Sequence, residues 1–251
     1  MSLSAVRTTI ASIWTWLVLA VGLVLALPFI LLWRLLAWPV DPMNYAGGRL
    51  FRLVGVAMVK LTPRWHFSVR GELPANPRNP FVVVANHESF ADLPLLCFLP
   101  WEMKWFSKIE IMRIPVLGWE MWAARDIGVR RGFAASARLA MAECRERLAR
   151  RVSVMMFPEG TRSPSRDLLP FKDGAFRLAI EAGVPVLPVV IHGTRDAIAR
   201  HDWQINPATA VAQVLSPEPS DGLEVDELKR RVRARIEAAR DQLRAEREAA
   251  A

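Results

Sequence analysis

The sequence predicts an α/β fold: a mainly parallel or mixed sheet flanked by helices, preceded by an N-terminal membrane-associated helical segment. Three observations carry this. Buried-strand runs alternate with helical stretches between residues 81 and 191, the pattern of crossover units around a parallel sheet. A run of 24 uncharged residues, Ile10 to Trp33, precedes them. Polar residues recur directly behind three of the strand runs, where parallel sheets place their ligands.

The uncharged run is long enough for a helix across ~30 Å of hydrocarbon. It is too long for a cleavable signal peptide and lacks a small-x-small cleavage site. Pro28 predicts a kink or a turn back near the interface. Arg7 precedes the run, whereas Arg34, Arg49, Arg52, Lys60 and Arg64 follow it. If the segment spans, the remainder faces the cytoplasm. Trp14, Trp16, Trp33 and Trp38 lie towards its ends, as interfacial aromatics do.

A second apolar stretch, 45–61, has Leu50, Phe51, Val54, Met58 and Leu61 on one helical face and Arg49, Arg52 and Lys60 on the other. It suits either a helix on the membrane surface or one packed on the globular body. Residues 1–64 thus form a membrane-anchoring helical segment, 65–222 an α/β domain and 223–251 a C-terminal helix.

Within the body, "FVVVA" (81–85) reads as a buried strand. A helical stretch around 92–98 follows, then a short strand near 103–107. A Trp-rich helix around 115–124 leads to the strand "DIGV" (126–129). At least two of Trp101, Trp105, Trp119 and Trp122 belong to the core. Residues 133–150 form a helix with a basic face, and "VSVMMF" (152–157) another buried strand. "GAFRLAIEAG" (174–183) is a helix closed by Gly183, and "VPVLPVVI" (184–191) a strand. In the tail, Val225, Leu228, Val232, Ile236 and Leu243 recur at helical spacing among mixed charges.

The chain is 52% hydrophobic with a formal net charge of +8. That charge suits nucleic acid, an anionic membrane surface or an anionic small substrate. No RNA-binding signature, zinc-finger spacing or basic-zipper pattern occurs, so nucleic acid is not expected as a partner. Cys97 and Cys144 lie far apart without companions, which reads as reduced, cytosol-facing thiols and no metal site.

The polar signals behind the strands are Asn86, His87 and Asp92, then "PEGTRS" (158–163), then His192, Gly193 and Thr194. A neutral imidazole can take a proton from a hydroxyl near pH 7, and a carboxylate five residues on can fix its tautomer. No Gly-x-Ser-x-Gly elbow is present, so the dyad would activate a substrate hydroxyl. His87 with His192 lacks metal-ligand spacing. In "PEGTRS", Gly160 lets the backbone approach a ligand, Thr161 and the backbone N–H groups can donate to oxyanions, and Arg162 can hold a phosphate bidentately. Glu159 would repel phosphate; it suits a ligand hydroxyl or the alignment of Arg162.

From about Gly71 to Thr194 the combination resembles the glycerolipid acyltransferases, most closely the bacterial 1-acylglycerol-3-phosphate (lysophosphatidic acid) acyltransferases. "NHESFAD" matches the family's Asn-His-x4-Asp. "SKIEIMRIPVLGW" (107–119) and "DIGVRR" (126–131) resemble its second block, with Lys108 and Arg131. "FPEGTRS" matches the third block, and "VPVLPV" (184–189) the fourth, with Pro188; "PFKDGAF" (170–176) fits the segment between. Arg125 stands where many members have the glycine that opens the second block, which bears on the local backbone and acceptor binding. The resemblance implies His87 as base and Asp92 as its partner. Arg131 and Arg162, with Lys108 as a further candidate, would bind an acceptor phosphate. The implied reaction is acyl transfer from acyl-CoA or acyl-acyl carrier protein to the sn-2 hydroxyl of lysophosphatidic acid, giving phosphatidic acid with no covalent enzyme intermediate and no cofactor or metal. The expected place is a bacterial inner membrane, the catalytic domain facing the cytoplasm. Two alternatives stay open: another lysolipid acceptor, or a membrane-anchored lipid-binding protein without turnover.

Overall fold

The computed structural model describes residues 3–199 and 202–249. Helix α1 (Leu3–Leu36) passes unbroken through Pro28. Proline removes one backbone hydrogen bond, but the helical bonds on both sides of it hold the helix together. The turn back comes later, over residues 37–44, and leads into α2 (Tyr45–Lys60), which packs on α1. A Cβ on Gly22 would stand 2.8 Å from Val54 Cγ1, so the two helices approach closely there.

A seven-stranded sheet follows: β1 (Trp65–Gly71), β2 (Val82–Ala85), β3 (Met103–Lys108), β4 (Ile127–Val129), β5 (Ser153–Met156), β6 (Val186–His192) and β7 (Ala208–Val214). The order is β1-β7-β6-β2-β5-β3-β4, every pairing parallel except β6 with β7. The connecting helices are α3 (Asp92–Leu96), α4 (Leu117–Ala123), α5 (Ala134–Ala149), α6 (Gly174–Ala182), the short α7 (Thr194–Ala197) and α8 (Val225–Ala249).

Alternation along β2 sets the layers. Val82 and Val84 face a core shared with α5, α6 and α8; Val83 and Ala85 face the opposite core with α3. Leu228, Val232, Ile236 and Leu243 of α8 close the first layer, as their spacing predicts. Gly183 ends α6 at φ +61, the left-handed cap that glycine takes without strain. Trp101 and Trp105 are buried, Trp119 and Trp122 exposed. Both cysteines are free, and burial pushes each thiol up to about 12.

Two results depart from the sequence reading. Strands β1 and β7 have no counterpart in it: "WHFSVRG" and "ATAVAQV" are not apolar runs, and they pair with each other across the length of the domain. Helix α2 is also not a helix with all its basic residues on an outer face. It packs on the body through Phe51, Val54 and Met58, and Arg52 is buried. The Arg52 guanidinium lies 2.5 Å from Asp126 and 3.5 Å from Glu102, which in turn lies 3.0 Å from the buried Lys104. Breaking one member of such a set leaves an uncompensated buried charge, so these ions tie the hairpin to β3 in one register.

Candidate active site

The site lies behind the carboxyl ends of β2, β5 and β6, where the parallel strands leave exposed backbone and a crevice. Asn86 opens it by copying a sheet ladder: its amide donates to Ile191 O at 2.8 Å and its Oδ1 accepts from Ile191 N at 2.8 Å. That pins the start of the β2–α3 loop to β6. His87 and Asp92 then meet, Nδ1 to Oδ2 at 2.6 Å. The same oxygen accepts the backbone N–H of Glu88 (2.7 Å) and Ser89 (3.1 Å), and the other carboxylate oxygen accepts the Thr194 hydroxyl. Asp92 is fully buried, whereas His87 keeps a partly exposed edge. A carboxylate facing Nδ1 puts the imidazole proton there and leaves the Nε2 lone pair free. The ring stacks on Phe157, centroids 3.9 Å apart, which fixes its plane.

The "PEGTRS" loop grips His87 from both sides. Glu159 accepts the His87 N–H at 2.8 Å and the Leu169 N–H at 2.9 Å, one on each oxygen, and the His87 carbonyl accepts the Ser163 N–H at 2.9 Å. Glu159 is therefore turned inward, with no ion pair to Arg162, and it braces the loop; burial raises its carboxyl above the usual range, opposed by these two N–H groups. Gly160 has φ +72, a conformation open to glycine, and Lys172 lies directly over it: a Cβ there would be 2.7 Å from Nζ.

His87 opens into a cavity of about 990 Å³. Leu19 and Leu23 of α1, Phe51, Val54 and Met58 of α2, and Trp105 and Met121 form its apolar part. Lys108, Arg131, Gly160, Thr161 and Arg162 line its polar part, so five of the expected site residues meet His87 in one space. Arg162 has no hydrogen-bond or ion-pair partner among the described residues, and Lys108 has a loose pair with Glu110 at 3.7 Å. Arg130 and Lys172 line the cavity too; both were passed over in the sequence, although they stand inside the quoted "DIGVRR" and "PFKDGAF". Pro188 does not line it. It sits within β6 opposite Val84, in the interior of the sheet. His192 does not join His87 either, and no group of metal-ligating side chains occurs among the described residues.

Arg125, in the glycine position, has φ +65. The local backbone is thus the left-handed one that glycine favours, held here with an arginine: its carbonyl accepts from Arg147 and its guanidinium lies 3.8 Å from Glu146.

An α/β domain with a histidine–carboxylate pair at the edge of a large cavity, apolar on one side and cationic on the other, has the build of a ligand-binding site with a general base. The acyltransferase family model matches residues 66–192, and the chain belongs to the acyltransferase family. A 1-acyl-sn-glycerol-3-phosphate acyltransferase alpha of Ovis aries is 35% identical over 162 residues, 64% of this chain and 56% of the relative. A chloroplastic 1-acyl-sn-glycerol-3-phosphate acyltransferase of Brassica napus is 38% identical over 140 residues, 55% of this chain and 40% of the relative. The chain thus spans about half the length of the curated relatives it matches. The crystal structure of the 1-acyl-sn-glycerophosphate (LPA) acyltransferase PlsC from Thermotoga maritima superposes with a TM-score of 0.80 at 25% identity, covering 96% of this chain and 98% of that one.

Proposed function

We propose that this chain transfers an acyl group from acyl-CoA or acyl-acyl carrier protein to the sn-2 hydroxyl of lysophosphatidic acid, giving phosphatidic acid. The observation that carries the reading is the His87–Asp92 pair, its Nε2 unspent at the edge of a cavity that is apolar on one side and cationic on the other. Nε2 takes the hydroxyl proton as the oxygen attacks the thioester carbon, and Asp92 stabilises the imidazolium. Collapse of the tetrahedral intermediate expels the thiolate, which receives the proton. Arg131 and Arg162, with Lys108 and Lys172, hold the acceptor phosphate, and Thr161 donates alongside them. The apolar walls take the acyl chains.

One helix, Ala5–Leu36, is long and apolar enough to cross a membrane. Its outward face exposes Ile10, Leu17, Leu25, Phe29 and Leu32, while Leu19 and Leu23 wall the cavity. In this reading residues 1–64 attach the protein to a bacterial inner membrane, with the cavity at the lipid interface and the catalytic body on the cytoplasmic side. Burial of this face predicts that high salt leaves the protein on membranes; quantitative release by salt speaks against it.

The functional test is thiol release by the full chain with one acyl-CoA and a panel of lysolipids, beside His87→Ala. Release that requires lysophosphatidic acid and disappears in His87→Ala is the expected result. Lipid binding with no thiol release on any acceptor, or equal release in His87→Ala, overturns the proposal.

A further inference from the structure

A second basic site lies beside the dyad and outside the cavity described above. His87 lines the main cavity, whereas its chain neighbour Glu88 lines a separate cleft between α8 and the β6–α7 junction. Five guanidinium groups, of Arg166, Arg195, Arg240, Arg244 and Arg247, face two carboxylates there, Glu88 and Asp196. The enclosed part is about 30 Å³, room for about two oxygen atoms and not for a ring or an alkyl chain.

The acids neutralise the cleft only in part. Asp196 pairs with Arg247 at 2.7 Å, and Arg244 with Glu248 at 2.9 Å. Arg195 spends its N–H groups on carbonyl oxygens of Ser163, Pro164 and Ser165, which cancel no charge. Arg240 donates to the Arg166 carbonyl at 3.0 Å and lies 3.5 Å from Asp241. The Arg166 guanidinium has no hydrogen-bond or ion-pair partner among the described residues. Burial, with Asp92 nearby, raises the Glu88 carboxyl to about 7, which weakens its opposition to an anion.

Position narrows the ligand. No residue of α1 or α2 lines the cleft, and its lining is polar or charged apart from Gly193. It therefore opens to water and not along the apolar face of α1. It is also joined to the chemistry: Gly193 lines it, and the next residue, Thr194, donates to Asp92. The reaction proposed above has one substrate whose reactive end must reach His87 while its head stays in water, the acyl donor.

We infer that this arginine cleft binds phosphate oxygens of the coenzyme A head of the acyl donor, separately from the cations that face the acceptor phosphate. The inference rests on the acyltransferase reading. Arg166 supplies the charge without a partner among the described residues, and Arg244, exposed and paired with Glu248, supplies a second guanidinium; Arg195 and Arg240 also hold the 163–166 loop and are unsuited to a test.

The experiment compares the full chain in detergent with the Arg166→Gln/Arg244→Gln double variant. Both side chains are exposed, so the thermal midpoint should hold. Titration with unacylated coenzyme A should show a Kd raised about tenfold or more, the loss of charge-assisted hydrogen bonds. The KM for acyl-CoA should rise by a similar factor, while the KM for lysophosphatidic acid and kcat at saturating donor stay within about twofold. Equal coenzyme A affinity in the two proteins overturns the inference. So does a loss confined to inorganic phosphate, which marks a free-phosphate site, or one confined to vesicles of anionic lipid, which marks a headgroup site. Weakened coenzyme A binding in a protein that releases no thiol on any acceptor keeps the cleft and sinks the acyltransfer reading.

Discussion

Replacing Asp92 by asparagine separates the charge of the dyad from its geometry. The Asp92 carboxylate accepts four hydrogen bonds, from His87 Nδ1, the Glu88 and Ser89 N–H groups and the Thr194 hydroxyl. An asparagine oxygen placed at Oδ2 keeps the first three. Its amide meets Thr194, whose hydroxyl can reverse and accept. The fold and the His87 tautomer should therefore survive, and what disappears is the negative charge behind the imidazolium. A charge-assisted hydrogen bond contributes about 1.5–3 kcal/mol, so kcat should fall roughly 10- to 150-fold. Both KM values should move by less than about threefold, because neither substrate touches Asp92. Thiol release at saturating acyl-CoA and lysophosphatidic acid reads kcat, and the thermal midpoint checks folding. A folded Asp92→Asn protein with kcat within about threefold of wild type would show that His87 works without the carboxylate charge and refute the mechanism.

Other variants test other links. Arg162→Ala should raise the acceptor KM about tenfold with little change in donor KM or thermal midpoint, since Arg162 has no partner among the described residues and Glu159 is engaged elsewhere; an unchanged acceptor KM removes the phosphate clamp. Arg125→Gly should be about 1 kcal/mol more stable than Arg125→Ala, because both lose the same side chain but only glycine accepts φ +65 freely. In a chain of this size that is roughly 2–4 °C between the two midpoints, and equal midpoints would count against backbone strain. Burial raises Glu120 to about 8, with neither carboxylate oxygen hydrogen-bonded among the described residues. Its folded form stays neutral while the unfolded form ionises above the ordinary 4.5, so the resulting loss of stability is absent below that pH and grows up to about 8. Glu120→Gln should therefore gain in thermal midpoint over wild type as pH rises from 5 to 8; a pH-independent gap argues otherwise.

Local patterns carried much of the architecture. Apolar runs such as "FVVVA" and "VSVMMF", bounded by polar turns, mark β2 and β5 because strands buried on both faces need apolar side chains at every position. The helical spacing from Leu228 to Leu243 marks α8 for a similar reason, and Gly183 marks the end of α6. The dyad was legible because His87 and Asp92 are five residues apart on one loop, so the chain itself brings them together.

What needed the tertiary structure depended on partners distant in sequence. Strand β1 exists because β7 lies beside it, Trp65 against Ala208, and no local pattern announces a partner that far along the chain. Arg52 reads as a surface charge on a helical wheel; only the approach of Asp126 and Glu102 makes its burial tolerable. Glu159 reads as a partner for a ligand hydroxyl or for Arg162, yet the folded loop places the His87 and Leu169 N–H groups on its two oxygens. The proposed catalytic pair was thus determined locally. Which charges line the cavity, which brace a loop and which lock the hairpin to the sheet was decided by packing, because a buried polar group takes whatever partner the fold brings to it.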